Sequence, residues 1–219
     1  MSIRTVIVSG GNIQKDFALS FLKEHSYEEL IAVDNGLRFL YENEITPTRI
    51  VGDFDTIDPE IVTWYREHTG IEIRAFNPVK DATDTQIAVE LALEVGSSSI
   101  VILGGTGSRL DHVLGNIQTL MLPLRAQVEC VLMDANNRIR LIDKPISLQK
   151  QQQFGQYVSL VPLTTEVNGV TLEGFRYPLQ DFTFKSTESA GLGVSNEITA
   201  DEAQIHLTEG VMILIESRD

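Results

Sequence analysis

Short apolar runs alternate with helix-spaced apolar positions through the first half of the chain. Thr5-Val6-Ile7-Val8 is a strand-like run that ends in Ser9-Gly10-Gly11-Asn12, and Phe17, Leu19, Phe21 and Leu22 follow among polar residues. Leu30-Ile31-Ala32-Val33 is the next run, ending at Asp34-Asn35-Gly36, and Ile50-Val51 is a third, ending at Gly52-Asp53. Asp58-Pro59-Glu60 reads as a helix start, with an N-cap acid, proline at the first helical position and an acid in the first turn. Ile71 to Phe76 is a fourth strand. The clearest helix spans Thr83 to Val95, where Ile87, Leu91 and Val95 recur every fourth residue beside Ala88 and Ala92. Ile100 to Leu103 leads into Gly104-Gly105-Thr106-Gly107, and Leu110 to Leu122 is a helix expected to stop at Pro123. Strands alternating with helices imply βαβ units and a mainly parallel sheet covered on both faces.

The pattern changes after Arg125. Val128 to Met133, Ile139 to Ile142, Tyr157 to Val161 and Val211 to Ile215 read as strands; Asn136-Asn137 is a turn candidate and Lys150 to Gln153 a loop. Gly169, Gly174, Gly191 and Gly193 punctuate the remainder, and no long helix is predicted there. The expectation is an α/β protein: a Rossmann-like, mainly parallel α/β domain over residues 1–125, then an all-β sandwich domain over residues 126–219.

Composition narrows the function. The 219 residues include 17 Lys+Arg against 31 Asp+Glu, a formal net charge of −14. That balance argues against a general nucleic-acid binder, whose affinity rests on basic residues neutralising phosphates, and tolerates a cationic ligand or a metal. Cys130 is the only cysteine, which excludes an intrachain disulfide and a cysteine zinc site and makes the cytoplasm the expected compartment. No apolar stretch approaches the ~20 residues needed to span a bilayer, and the apolar start is too short for a secretory signal.

Three segments carry chemistry, each after a strand, where open α/β sheets bind ligands. In Gly52-Asp53-Phe54-Asp55-Thr56, alternation along an extended chain would project Asp53 and Asp55 together, and paired carboxylates repel unless a cation lies between them. Mg²⁺ prefers one or two carboxylates with waters and phosphate oxygens; the alternative is two solvated loop acids. In Lys80-Asp81-Ala82-Thr83-Asp84, Thr83 suits an N-cap, while Asp81 and Asp84 could join the same metal cluster and Lys80 face a phosphate; Asp34 is a third acid-bearing loop. Gly104 to His112 is a glycine turn opening a helix, a phosphate-binding arrangement without the Walker Gly-Lys-Ser/Thr spacing. Arg109 at its mouth suits bidentate phosphate contact, Asp111 either orients Arg109 or meets the metal, and His112 reads as a packing or hydrogen-bonding residue rather than a catalyst. Ser9 to Asn12 is a weaker glycine turn, Trp64 reads as a packing residue, and no Gly-x-Ser-x-Gly elbow supports a serine hydrolase. Two other classes fit these residues: a Mg²⁺-dependent transferase acting on another small alcohol, and a nucleotide-binding regulatory module.

Taken together the segments resemble the thiamine pyrophosphokinase (thiamin diphosphokinase) family. The matching stretches are Ala32 to Gly36, Gly52 to Thr56, Lys80 to Thr85, Gly104 to His112 and Gly193-Val194-Ser195-Asn196-Glu197. The resemblance implies an enzyme that transfers diphosphate from ATP to the hydroxyethyl group of thiamine, leaving AMP. It implies an α/β domain followed by a β-sandwich, in a homodimer with substrate sites between subunits. Carried over by motif, Asp53, Asp55 and Asp84 would hold Mg²⁺ and, with Arg109, form the catalytic set. Asp34, Lys80, Asp81, Thr83, Arg109 and Asp111 would line the nucleotide site, and Ser195 and Asn196 the β-domain edge that meets the substrates. Some members stack thiamine on a tryptophan near the C-terminus; here Val211 to Ile215 holds no aromatic residue.

Overall fold

A computed structural model describes residues 2–55, 57–75, 82–189 and 191–219. The chain divides into two compact units, Met1–Ala135 and Asn136–Asp219. The first is built from β1 (Ile3–Val8), α1 (Lys15–Glu24), β2 (Glu29–Val33), α2 (Asn35–Glu42), β3 (Arg49–Gly52), α3 (Pro59–His68), β4 (Glu72–Ala75), α4 (Asp84–Glu94), β5 (Ser97–Leu103), α5 (Leu110–Thr119), α6 (Met121–Arg125) and β6 (Glu129–Met133). Its strands lie in the order β4-β3-β2-β1-β5-β6, and every neighbouring pair is parallel. The order reverses between β1 and β5, so the loops leaving these two strands diverge and open a crevice.

The apolar runs end up buried as the pattern demands: Val6, Ile7, Val8, Leu30, Ile31, Ala32, Ile50 and Ile100 are all nearly inaccessible. Both predicted caps form. The Asp58 carboxylate accepts from the Glu60 N–H at 3.0 Å and the Thr83 hydroxyl from the Gln86 N–H at 3.2 Å, satisfying donors that have no intrahelical partner. Trp64 packs edge-on against Tyr41 and Tyr65 and stacks on His68, the packing role expected of it.

Three details differ from the sequence reading. The first unit runs to Ala135 rather than Arg125, because β6 pairs in parallel with β5, for example Val101 with Val131. Pro123 does not stop a helix; α5 ends at Thr119, and Pro123 is the third residue of α6, where a missing N–H costs no intrahelical bond. A helix that the sequence reading did not mark, α2, follows Asp34 directly, burying Leu37 and Leu40.

The second unit contains β7 (Asn137–Ile142), β8 (Ile146–Gln149), a 3₁₀ turn (Lys150–Gln152), β9 (Tyr157–Pro162), β10 (Glu166–Glu173), β11 (Leu179–Lys185), β12 (Glu202–His206) and β13 (Met212–Ser217). The strands form two antiparallel groups, β7-β13-β9 and β11-β10-β12-β8. One apolar cluster draws on both: Val158, Leu160, Met212 and Leu214 meet Leu148, Val170, Leu172, Phe184 and Ile205. This is the expected sandwich core. On β13 alternate residues point inward, and the last of them is Glu216, fully buried. Its carboxylate accepts from Arg138 at 2.6 and 2.7 Å and from the Phe154 N–H at 3.2 Å.

Candidate active site

The first unit holds a cleft of about 430 Å³ at the carboxyl ends of β1, β2, β3 and β5. Its floor is two glycine loops zipped together. The Gly11 N–H donates to the Gly104 carbonyl at 2.9 Å and the Asn12 N–H to the Gly107 carbonyl at 3.1 Å. A Cβ on Gly11 would run into both carbonyls, so only glycine permits this approach. Asn116, buried on α5, donates to the Gly105 carbonyl at 2.9 Å and anchors the second loop from behind. The buried hydroxyls of Ser9 and Thr85 lie 2.6 Å apart and tie the end of β1 to the first turn of α4.

The acids line the same cleft. One carboxylate oxygen each from Asp34, Asp53 and Asp84 lies within 4.8 Å of the other two, and all three residues are half-buried. Asp34 reaches this position from a left-handed backbone (φ 45°) between β2 and α2, with its carboxylate over Gly52, where a side chain would collide with it. Asp84 is the first residue of α4, placed by the Thr83 cap. Asp53 leaves β3 and accepts from the Asp55 N–H at 3.2 Å. Phe54 between them has φ 61°, so the chain is not extended there and the two acids do not alternate as the sequence reading assumed. Asp53 turns into the cluster, and Asp55 lines the cleft from an exposed position at its rim. The Asp55 carboxyl is pushed up from its ordinary value, chiefly by the charge of Asp53, then by loss of solvent and the charge of Asp84. A cluster so crowded with negative charge favours a cation. All-oxygen carboxylate donors suit a hard divalent ion such as Mg²⁺.

Arg109 lines the cleft at the start of α5 and forks onto Asp111 through two hydrogen bonds of 2.6 and 3.2 Å. The guanidinium holds the Asp111 carboxyl down to about 2. Of the two readings of Asp111, this geometry favours orientation of Arg109; Asp111 stands outside the three-acid cluster. With the side chains 69% and 63% exposed, the pair contributes little stability, so Arg109 is cheaply redirected. His112, read as a packing or hydrogen-bonding residue rather than a catalyst, is exposed and lines the cleft. Ser9 belongs to the weaker glycine turn noted in the sequence; Asn35, Asn116 and Thr85 escaped notice as site residues. Their common signal was a position within two residues of an acid or a glycine turn, or one helical turn beyond it. Lys80 and Asp81 lie outside the described residues.

Ser195 and Asn196 belong to the second unit. The Asn196 side chain is spent on the fold: its amide donates to the Tyr177 carbonyl at 2.8 Å and accepts from the Tyr177 N–H at 3.0 Å. Ser195 is exposed at a positive-φ turn (φ 58°), its N–H bonded to the Ser159 hydroxyl.

Comparison with known proteins decides among the functional classes. A family model of the thiamin pyrophosphokinase catalytic domain matches residues 21–132, and a model of the thiamin pyrophosphokinase vitamin B1 binding domain matches residues 144–212. The chain belongs to the thiamin pyrophosphokinase family. Thiamine pyrophosphokinase of Bacillus subtilis is 32% identical over 222 residues, covering 97% of this chain and 98% of that protein. The crystal structure of thiamine pyrophosphokinase from Bacillus subtilis superposes with a TM-score of 0.86 at 29% identity, covering 99% of each chain. The thiamin pyrophosphokinase of Geobacillus thermodenitrificans gives 0.85 at 27% identity, covering 99% of this chain and 98% of its own. The yeast enzyme, at 15% identity and a TM-score of 0.81 over 99% of this chain and 86% of its own, shares the fold. Thiamin pyrophosphokinases transfer diphosphate from ATP to thiamine, and the chain is an enzyme of this family. Among the described residues no helix is long and apolar enough to cross a membrane.

Proposed function

We propose that the cleft of the first unit is where diphosphate passes from ATP to the thiamine hydroxyl, and that Asp34, Asp53 and Asp84 would hold Mg²⁺ there. The observation that carries this reading is the convergence of the three carboxylates in a glycine-lined cleft. Phosphoryl and diphosphoryl transfer depend on positioning and charge neutralisation more than on covalent help. A Mg²⁺ ion supplies that neutralisation on the phosphate oxygens when bound. The residues of the chain divide the remaining work. The glycine loops supply a backbone-lined floor, which their lack of side chains permits by letting the two loops pack directly on each other. Arg109 exchanges its exposed carboxylate partner for phosphate oxygens, a trade between two bidentate contacts. Asp55 adds negative charge at the rim beside Asp53. Lys80 and Asp81, which precede Thr83 and Asp84 in the same sequence motif, would face the triphosphate as the family resemblance implies.

The residues by themselves suit attack at either phosphorus; family membership favours attack by the thiamine hydroxyl on the β phosphorus, forming the new O–P bond as the bond from that phosphorus to the α–β bridging oxygen breaks, with AMP leaving. Incubation with ATP, Mg²⁺ and thiamine is expected to give AMP and thiamine diphosphate one-for-one, with no thiamine monophosphate accumulating. ADP and thiamine monophosphate as first products would overturn the reading. We further propose a cytoplasmic homodimer in which Ser195 of the β unit contributes to a site shared between subunits, while Asn196 shapes the turn that presents it. Sedimentation should give twice the chain mass, and a fully active monomer would count against the shared site.

A further inference from the structure

Asn35 is the first residue of α2, next to Asp34, and lines the cleft. Its amide oxygen Oδ1 is buried and has no hydrogen-bond partner among the described residues. Its backbone is held from below by the first glycine loop, where a Cβ on Gly10 would lie 3.0 Å from the Asn35 nitrogen. Buried amide oxygens are almost always paired, and leaving one unpaired is unfavourable. Folding alone gives no return for placing asparagine here, since an apolar side chain would carry no such penalty. The acids that share the cleft accept hydrogen bonds when ionised and cannot donate to Oδ1.

We infer that Asn35 is a substrate-contacting residue, whose amide oxygen accepts a hydrogen bond from a donor on ATP or on thiamine. Both substrates carry such donors, an exocyclic amino group and hydroxyls among them. The inference rests on the proposed reading of the cleft, and product analysis of the unaltered enzyme tests that reading separately. The contact makes an unusual joint demand: stability and substrate affinity should move in opposite directions on substitution, as at sites where function is kept at the expense of stability.

The test compares Asn35→Leu and Asn35→Ala with the unaltered enzyme, measuring melting temperature without substrates, KM for ATP, KM for thiamine, kcat and half-saturating Mg²⁺. The expected result is a KM raised about five- to tenfold for one substrate, the loss of a single neutral hydrogen bond. That should come with kcat near normal and a melting temperature unchanged or higher. The substrate whose KM moves identifies the donor. Both KM values within twofold of normal would overturn the inference. So would a change confined to the Mg²⁺ dependence, which would place the amide against the metal's waters. A lowered melting temperature with unchanged KM would also overturn it, by showing that the amide bonds within the fold.

Discussion

Asp53→Asn is expected to fold normally and to lose turnover by about a hundredfold or more at saturating Mg²⁺, as when a preorganised electrostatic group is removed. The substitution keeps the size of the side chain. It also keeps an oxygen to accept the Asp55 N–H, so the turn through Phe54 survives. What it removes is one of three charges whose oxygens converge within 4.8 Å. The same crowding raises the Asp55 carboxyl, and a group whose pKa is raised by folding stabilises the fold below its unfolded value and loses that contribution as pH rises through the folded one. Relieving it by neutralising Asp53 should therefore leave the melting temperature in metal-free buffer at neutral pH unchanged or slightly higher. Adding Mg²⁺ should raise the melting temperature of the unaltered enzyme through binding to the folded state, and much less that of Asp53→Asn. Near-normal turnover in the variant, or equal Mg²⁺ shifts in both proteins, would remove Asp53 from the metal site.

The largest stability effect is expected at Glu216. Its carboxylate has no contact with solvent, bonds twice to Arg138 directly across from it on β7, and takes the Phe154 N–H as a third donor. Arg138 and Arg218 both lie over the Phe154 ring, at 5.9 and 4.6 Å, so the carboxylate also holds this small cluster together. Glu216 is fully buried while Arg138 keeps about a quarter of its side chain exposed, so Glu216→Ala should cost about 3 kcal/mol, the lower end for a buried pair, a large part of the stability of an ordinary domain. Urea denaturation followed by β-sheet circular dichroism would read the shift. A double replacement, Arg138→Met with Glu216→Leu, should recover part of the loss by removing the Arg138 charge together with its partner, while Arg140, 3.9 Å from the Glu216 carboxylate, and the Phe154 N–H remain without it. A midpoint shift equivalent to less than about 1 kcal/mol for Glu216→Ala would show that the pair is worth no more than an exposed salt bridge.

Much of this enzyme was readable from local pattern. The apolar runs and the helix-spaced residues of α4 follow from the periodicities of strand and helix, which need no knowledge of the rest of the chain. The caps at Asp58 and Thr83 are equally local, because a cap bonds to an N–H two or three residues away. The placing of acids and glycines after strands was legible too, since parallel sheets gather those loops on one edge. Tertiary structure decided what backbone conformation and distant pairing control. Phe54 in a left-handed conformation turns Asp53 inward and leaves Asp55 at the rim, while Asp34 completes the cluster over Gly52. Alternation along an extended chain cannot foresee a reversal of φ at one residue. The placement of β6 beside β5 extends the first unit to Ala135, a long-range pairing with no mark in the residues near Arg125. Glu216 facing inward, Asn196 committed to the backbone of Tyr177 and the Asn35 oxygen buried without a partner among the described residues are likewise outcomes of packing. A sequence names the polar group; only the assembled fold determines whether its partner is a neighbouring strand, a turn or a substrate.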